Sequence, residues 1–115
     1  MRQALARAAT CGIDLEQTVV DPGIGFGKTL DHNLTLLGRL RELRSLGRPI
    51  LVGTSRKAFL GHILDAEVGE RLMGTVATSV WTRAAGAAIF RVHDVAEVAA
   101  ALKVVSAIEG TDTER

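Results

Sequence analysis

The strongest constraint on this chain is an alternation. Short, continuously apolar runs are separated by helix-patterned stretches, and no hairpin turn signal joins any two runs. The runs are residues 17–20, Ile50–Val52 and 88–90, the last continuing through Arg91 and Val92 to His93. Strands that are apolar at successive positions are buried on both faces, as in a parallel sheet covered by helices. The stretches between them read as helices. Residues 2–11 are Ala-rich, and Gly12 offers a stop. Residues 30–46 carry Leu36, Leu40 and Leu43 at i, i+4 and i+7, with Gly47 and Pro49 ending the pattern. A short helix over 58–64, a long one over 67–85 stopped by Gly86, and a last one opened by Asp94 with Glu97 as a capping-box pair complete the order. The class is α/β, with the order α-β-α-β-α-α-β-α.

Composition bounds the function classes. The 115 residues suffice for one unit, read here as 1–110 followed by a flexible tail over 111–115. Hydrophobic residues make up 47%, which excludes intrinsic disorder, and aromatics only 3%, so the core is aliphatic. Fourteen Lys and Arg against thirteen Asp and Glu leave a net charge of +1. With no basic field and few rings for stacking, nucleic acid is not an expected partner. The one cysteine, Cys11, excludes an internal disulfide and a cysteine-rich metal site. No run approaches the ~18 apolar residues of a membrane span, and the first ten residues lack the apolar stretch of a secretory signal. A cytoplasmic location is therefore expected. No His, Cys and carboxylate set has zinc spacing, so no metal ligand is assigned. His32 and His62 read as surface residues, Cys11 as inert, and Met73 and Trp81 as packing residues of the long helix.

Chemistry gathers where the strands end. Asp21 follows the first, Ser55 and Lys57 the second, and Arg91 and His93 lie at the third. In parallel α/β folds these ends share one edge of the sheet, where ligands bind. Lys57 precedes an apolar turn and is expected to point inward, whereas Arg56 reads as part of a solvated turn. Arg91 and His93 alternate and so would share a strand face suited to an anion such as phosphate. The segment DPGIGFGKT approaches a phosphate loop but fails it, because Pro22 stands where the first glycine is required. Its alternating glycines still indicate a backbone that turns sharply and lets a ligand approach.

The segments DPGIGFGKTLDHN, LVGTSRKAFLG, ERLMGTVATSV and FRVHDV, in this order and at this spacing, resemble the C-terminal half of dihydropteroate synthase. The resemblance covers residues 4–109. It implies the last three βα units of a (β/α)8 TIM barrel, with a preceding helix. It also implies an activity: condensing 6-hydroxymethyl-7,8-dihydropterin pyrophosphate with p-aminobenzoate to give 7,8-dihydropteroate and pyrophosphate, the folate-pathway step that sulfonamides block. By the same resemblance Asp21 holds the pterin ring N–H groups, Gly53 lies beside the pterin, and Lys57 contacts the pterin and borders the aminobenzoate pocket. Ser55 approaches the aminobenzoate carboxylate, Gly25 and Phe26 line that pocket, and Arg91 and His93 bind pyrophosphate. Asp21, Lys57 and Arg91 are the catalytic candidates.

The family's first half, with its mobile loops and the asparagine that binds magnesium, has no counterpart in these residues. Mg2+ is thus implied as a cofactor whose protein ligand lies outside this chain. A (β/α)8 barrel needs about 250 residues. Three strands would leave two open edges and an uncovered apolar face, so a homo-oligomer or pairing with the missing half is expected, and the chain alone is expected to be inactive. Two other readings stay open. One is a non-catalytic half-barrel that binds a pterin or an anion. The other is a pterin-binding domain like that of the methyltetrahydrofolate methyltransferases.

Overall fold

The computed structural model describes residues 1–113. Helix α1 (Arg2–Thr10) is followed by a short 3-10 turn at Leu15–Gln17 and then by the loop carrying Asp21. Helix α2 (Leu30–Gly38) leads through a second 3-10 segment, Leu40–Leu46, into strand β1 (Ile50–Val52). Helix α3 (Ala58–Leu64), a 3-10 turn at Val68–Glu70 and helix α4 (Leu72–Ala84) precede strand β2 (Ala87–Phe90). Helix α5 (Val95–Thr113) is the last element among the described residues. The expected tail over 111–115 therefore begins within α5, and its last two positions lie outside the described residues.

The sheet is parallel, as the missing hairpin signals implied. Strand β1 pairs with β2 through Ile50 with Ala87, Leu51 with Ile89 and Val52 with Phe90, with an irregularity after Ile50. The run at 17–20 is shorter than expected. Only Val20 bridges β1, in parallel, its N–H donating to Pro49 O at 2.9 Å and its carbonyl accepting from Leu51 N–H at 2.8 Å. Residues 15–17 wind into a 3-10 turn instead, because the Asp14 carboxylate accepts from the Glu16 N–H and holds the turn.

Two other elements differ from the pattern in the sequence. The helix expected over 30–46 breaks at Gly38, a weak helix former, and resumes as a 3-10 helix. Leu40, Leu43 and Leu46 recur every three residues, the period of that tighter helix, and all three pack into the core. The long helix expected from 67 begins only at Leu72, with a separate turn before it. Arg71, between the two, turns its guanidinium to Ala66 O and Arg56 O.

One face of the sheet is covered. Val20, Ile50, Val52 and Ala87 pack with Leu40 and Ala85, joined by Leu5, Leu43 and Leu46. A second cluster, Ile24, Leu37, Phe59 and Leu60, lies beneath the loop after Val20. The alternate positions, Val19 and Ile89, are 47% and 40% exposed, so the opposite face carries apolar side chains in the open. The radius of gyration is 15.3 Å, above the ~13 Å of a compact chain this size, and the extents of 44 × 41 × 22 Å describe a slab.

Helix α4 corrects the reading of Met73 and Trp81. They are 72% and 55% exposed and are not core residues. The helix instead buries Gly74, Thr75, Ser79 and Thr82. Two of those hydroxyls are satisfied within the helix, Ser79 donating to Thr75 O and Thr82 to Thr78 O, while Thr75 Oγ1 accepts from the Arg56 N–H. Trp81 lies along the surface and donates its indole N–H to Leu37 O at 2.9 Å. No described helix is long and apolar enough to cross a membrane.

Candidate functional site

Because Val20, β1 and β2 run parallel, the residues after each of them emerge at one edge of the sheet. There Gly53, Ser55, Lys57, Arg91, Val92 and His93 line a cavity of about 300 Å3. The anticipated Gly53, Ser55, Lys57, Arg91 and His93 thus come together. Arg91 and His93 do so from a loop, since β2 ends at Phe90 and they do not alternate on a strand. The ladder nevertheless reaches one residue further, with Arg91 N–H donating to Val52 O at 3.0 Å.

The wall beside Arg91 depends on a glycine. A Cβ at Gly53 would lie 2.6 Å from Arg91 Nη2, so the guanidinium rests directly on the Gly53 backbone. Arg91 Nη1 also stands 3.7 Å from Asp21 Oδ2. The other Asp21 oxygen accepts from Gly23 N–H at 2.8 Å, which turns the chain into the glycine loop and fixes the carboxylate. Asp21 does not line the cavity itself but borders it through Arg91.

The glycine loop supports Lys57. Its ammonium donates to Ile24 O and lies 4.1 Å from the centre of the Phe26 ring. Phe26 is 63% exposed, so this ring stands in the open rather than in a pocket wall. Gly25 adopts φ +86°, and a Cβ there would meet Lys57 Cδ at 2.6 Å. Gly25 and Phe26 therefore act on the site through Lys57. Partial burial lowers the Lys57 pKa below its usual value; Arg91 and Lys28 push the same way, and Asp21 opposes them. The Lys28 ammonium itself donates to Gly23 O at 2.9 Å, closing the loop rather than facing the cavity.

His93 is held by Ser55. The buried Ser55 hydroxyl accepts from His93 N–H at 3.0 Å and lies 2.8 Å from His93 Nδ1. Turning the hydroxyl hydrogen toward Nδ1 satisfies both groups and leaves the proton of the neutral ring on Nε2. A lysine, an arginine and an imidazole N–H thus converge on one cavity with a carboxylate at its border. Such a set can bind an anion and stabilise positive charge on a neighbouring ring.

Three contributors escape a reading by residue type. Asn33 is buried on α2, and its Oδ1 accepts from Gly25 N–H at 2.8 Å, anchoring the glycine loop. The available signal was an amide on a helix face otherwise lined by leucines. Thr54 and Thr75 hold the 53–57 loop from below, Thr54 Oγ1 lying 2.7 Å from Thr78 Oγ1 and Thr75 Oγ1 accepting from Arg56 N–H. Arg56 lies in a turn with its side chain 40% exposed, yet it is not free in solvent, since its guanidinium pairs with Asp94 at 2.9 Å.

Comparison with known proteins gives this site a family context. The dihydropteroate synthase of Escherichia coli strain K12 is 46% identical over 105 residues, covering 91% of this chain and 37% of the relative. The dihydropteroate synthase of Xanthomonas albilineans has been solved with 7,8-dihydropteroate, at a TM-score of 0.92 and 38% identity over 94% of this chain and 42% of that one. A second structure, with 4-aminobenzoic acid, matches at the same TM-score of 0.92 and 38% identity, covering 94% of this chain and 40% of the other. The chain spans about two fifths of the length of these relatives. The profile of the pterin binding enzymes matches residues 1–93, across all three strand ends. The chain belongs to the pterin binding enzyme family.

Proposed function

We propose that this chain supplies the pterin- and pyrophosphate-binding part of a dihydropteroate synthase site. The observation that carries this reading is the convergence of Lys57, Arg91 and His93 on one cavity bordered by Asp21, in a chain of the pterin binding family. Asp21 would accept from the pterin ring N–H groups, with Arg91 across the ring. Arg91 and His93 would bind the pyrophosphate, Lys57 would contact the pterin, and Ser55 and the Phe26 loop would border the aminobenzoate.

The chemistry suits these groups. The bond between the pterin methylene carbon and the bridging oxygen breaks, and its electron pair leaves with pyrophosphate. Arg91 and His93 stabilise that departing charge, and the Asp21 carboxylate stabilises the electron-poor ring. The arylamine nitrogen then bonds to the methylene carbon and loses a proton. No protein nucleophile is involved. Among the described residues no group of three or more His, Cys, Asp or Glu is placed to hold a metal ion. Magnesium, if used, would take its protein ligand from outside this chain.

The architecture in this reading is the last three βα units of a (β/α)8 barrel. The open face carrying Val19 and Ile89 would be covered by the remaining strands or by a second copy. The setting would be cytoplasmic. The test mixes the purified chain with the N-terminal part of a relative and measures 7,8-dihydropteroate. Product from the mixture, abolished by Lys57→Gln, and none from either part alone is the expected result. Binding of pyrophosphate without product in the mixture would favour a non-catalytic binding module. Absence of both would overturn the reading.

A further inference from the structure

Arg56 stands between Ser55 and Lys57, yet it does not line the cavity. Its backbone is unusual. Lys57 N–H donates to Thr54 O, closing a turn over 54–57, and Arg56 occupies the third position at φ +56°. That conformation favours glycine, and an arginine persists there only if its surroundings hold it. Here the backbone N–H, the carbonyl and the guanidinium are all engaged. Its N–H donates to Thr75 Oγ1 at 3.1 Å, its carbonyl accepts from Arg71 Nη1 at 3.0 Å, and its guanidinium donates to both Asp94 oxygens, at 2.9 and 3.3 Å.

Asp94 directly follows His93, just as Arg56 directly follows Ser55. The two loops are therefore joined in consecutive steps, Ser55 to His93 and Arg56 to Asp94. Glycine at position 56 would relax the backbone and forfeit the second step. We propose that Arg56 and Asp94 are positioning residues whose ion pair clamps the 53–57 loop to the 91–94 loop and so sets the separation of Lys57 from His93 across the cavity. This rests on the reading of the cavity as the pyrophosphate-binding site. Neither residue lines the cavity; both act through their neighbours.

The test uses the full chain with Arg56→Gly, Asp94→Asn, the double variant and Asp94→Glu. Arg56→Gly removes the guanidinium while relieving the turn, and Asp94→Asn keeps the side-chain shape. Hydrogen exchange is followed at the His93 amide, which bonds Ser55, with the Leu51 and Arg91 amides of the sheet as controls for general loosening. Each single variant is expected to lower protection of His93 by about tenfold while Leu51 and Arg91 hold theirs. Inorganic pyrophosphate affinity, by calorimetry, is expected to fall about tenfold in each single variant and no further in the double. Asp94→Glu should restore most of both. Unchanged His93 protection in both single variants would overturn the clamp, as would losses that simply add in the double variant. Failure of the unaltered chain to bind pyrophosphate would instead count against the functional reading, and the exchange data would still decide the clamp.

Discussion

Replacing Gly25 with alanine should separate the two demands this position meets. At φ +86° any side chain is strained, by about 1–2 kcal/mol. The new Cβ would also stand 2.6 Å from Lys57 Cδ and push that side chain away. Gly27 provides the control, since it has φ +63° and nothing within 4 Å of an added Cβ. Gly27→Ala therefore carries the backbone strain alone. For a 115-residue chain each kcal/mol lowers Tm by about 4 °C, so Gly27→Ala should lose about 4–8 °C. Gly25→Ala adds the displacement of Lys57 from Ile24 O and from the Phe26 ring. That ring is exposed and water can replace the carbonyl, so the addition is about 1 kcal/mol, or a further ~4 °C. Pyrophosphate affinity should fall in Gly25→Ala and stay unchanged in Gly27→Ala. Scanning calorimetry and titration calorimetry on the two variants provide both readings. Equal Tm values together with equal affinities would refute the account of Gly25 as the support of Lys57.

Further outcomes are expected. Ser55→Ala should lower Tm by about 4 °C, because His93 N–H and Nδ1 lose a partner but can turn to water, a loss of about 1 kcal/mol; an unchanged Tm would count against the bond. The Lys57 pKa is lowered on folding, so the unfolded chain holds the proton more tightly. Stability relative to Lys57→Met should therefore rise with pH from the lowered value up to about 10.5, read by urea unfolding across that range; a falling difference would contradict the assigned burial. Trp81, the sole tryptophan, is 55% exposed, so its fluorescence in the folded chain should be strongly quenched by acrylamide. A blue-shifted, protected emission would show that α4 packs differently.

Local chemistry explains which elements could be read from the residues. Ile50–Val52 and Ala58–Leu64 form where expected, because a buried apolar triplet and a compact helix each depend on neighbouring residues. The strand ends also assembled as anticipated, since parallel pairing alone brings Ser55, Lys57, Arg91 and His93 to one edge. What failed depended on partners distant in sequence. Nothing near Arg56 announces that Asp94 will neutralise it, and its turn looks solvent-facing until the two loops meet. Met73 and Trp81 were misassigned for a related reason. Burial on α4 falls to small hydroxyl residues, whose polarity hides the buried face from any reading by hydropathy. The break at Gly38 stayed hidden because Leu36, Leu40 and Leu43 also fit a period of 3.6 residues, so the apolar stripe reads as one continuous helix.

The hydroxyl face of α4 has a consequence for how the site responds to its surroundings. The loop bearing Ser55 and Lys57 rests on Thr75 and Thr78, through Arg56 N–H and Thr54 Oγ1. Serine and threonine hydroxyls do not titrate in the physiological range, and they can reverse a hydrogen bond by rotating a proton. The hydroxyl supports beneath that loop are thus blind to pH, whereas Lys57, whose pKa burial lowers, is not. Base can discharge the ammonium that lines the cavity without undermining the hydroxyls on which its loop stands.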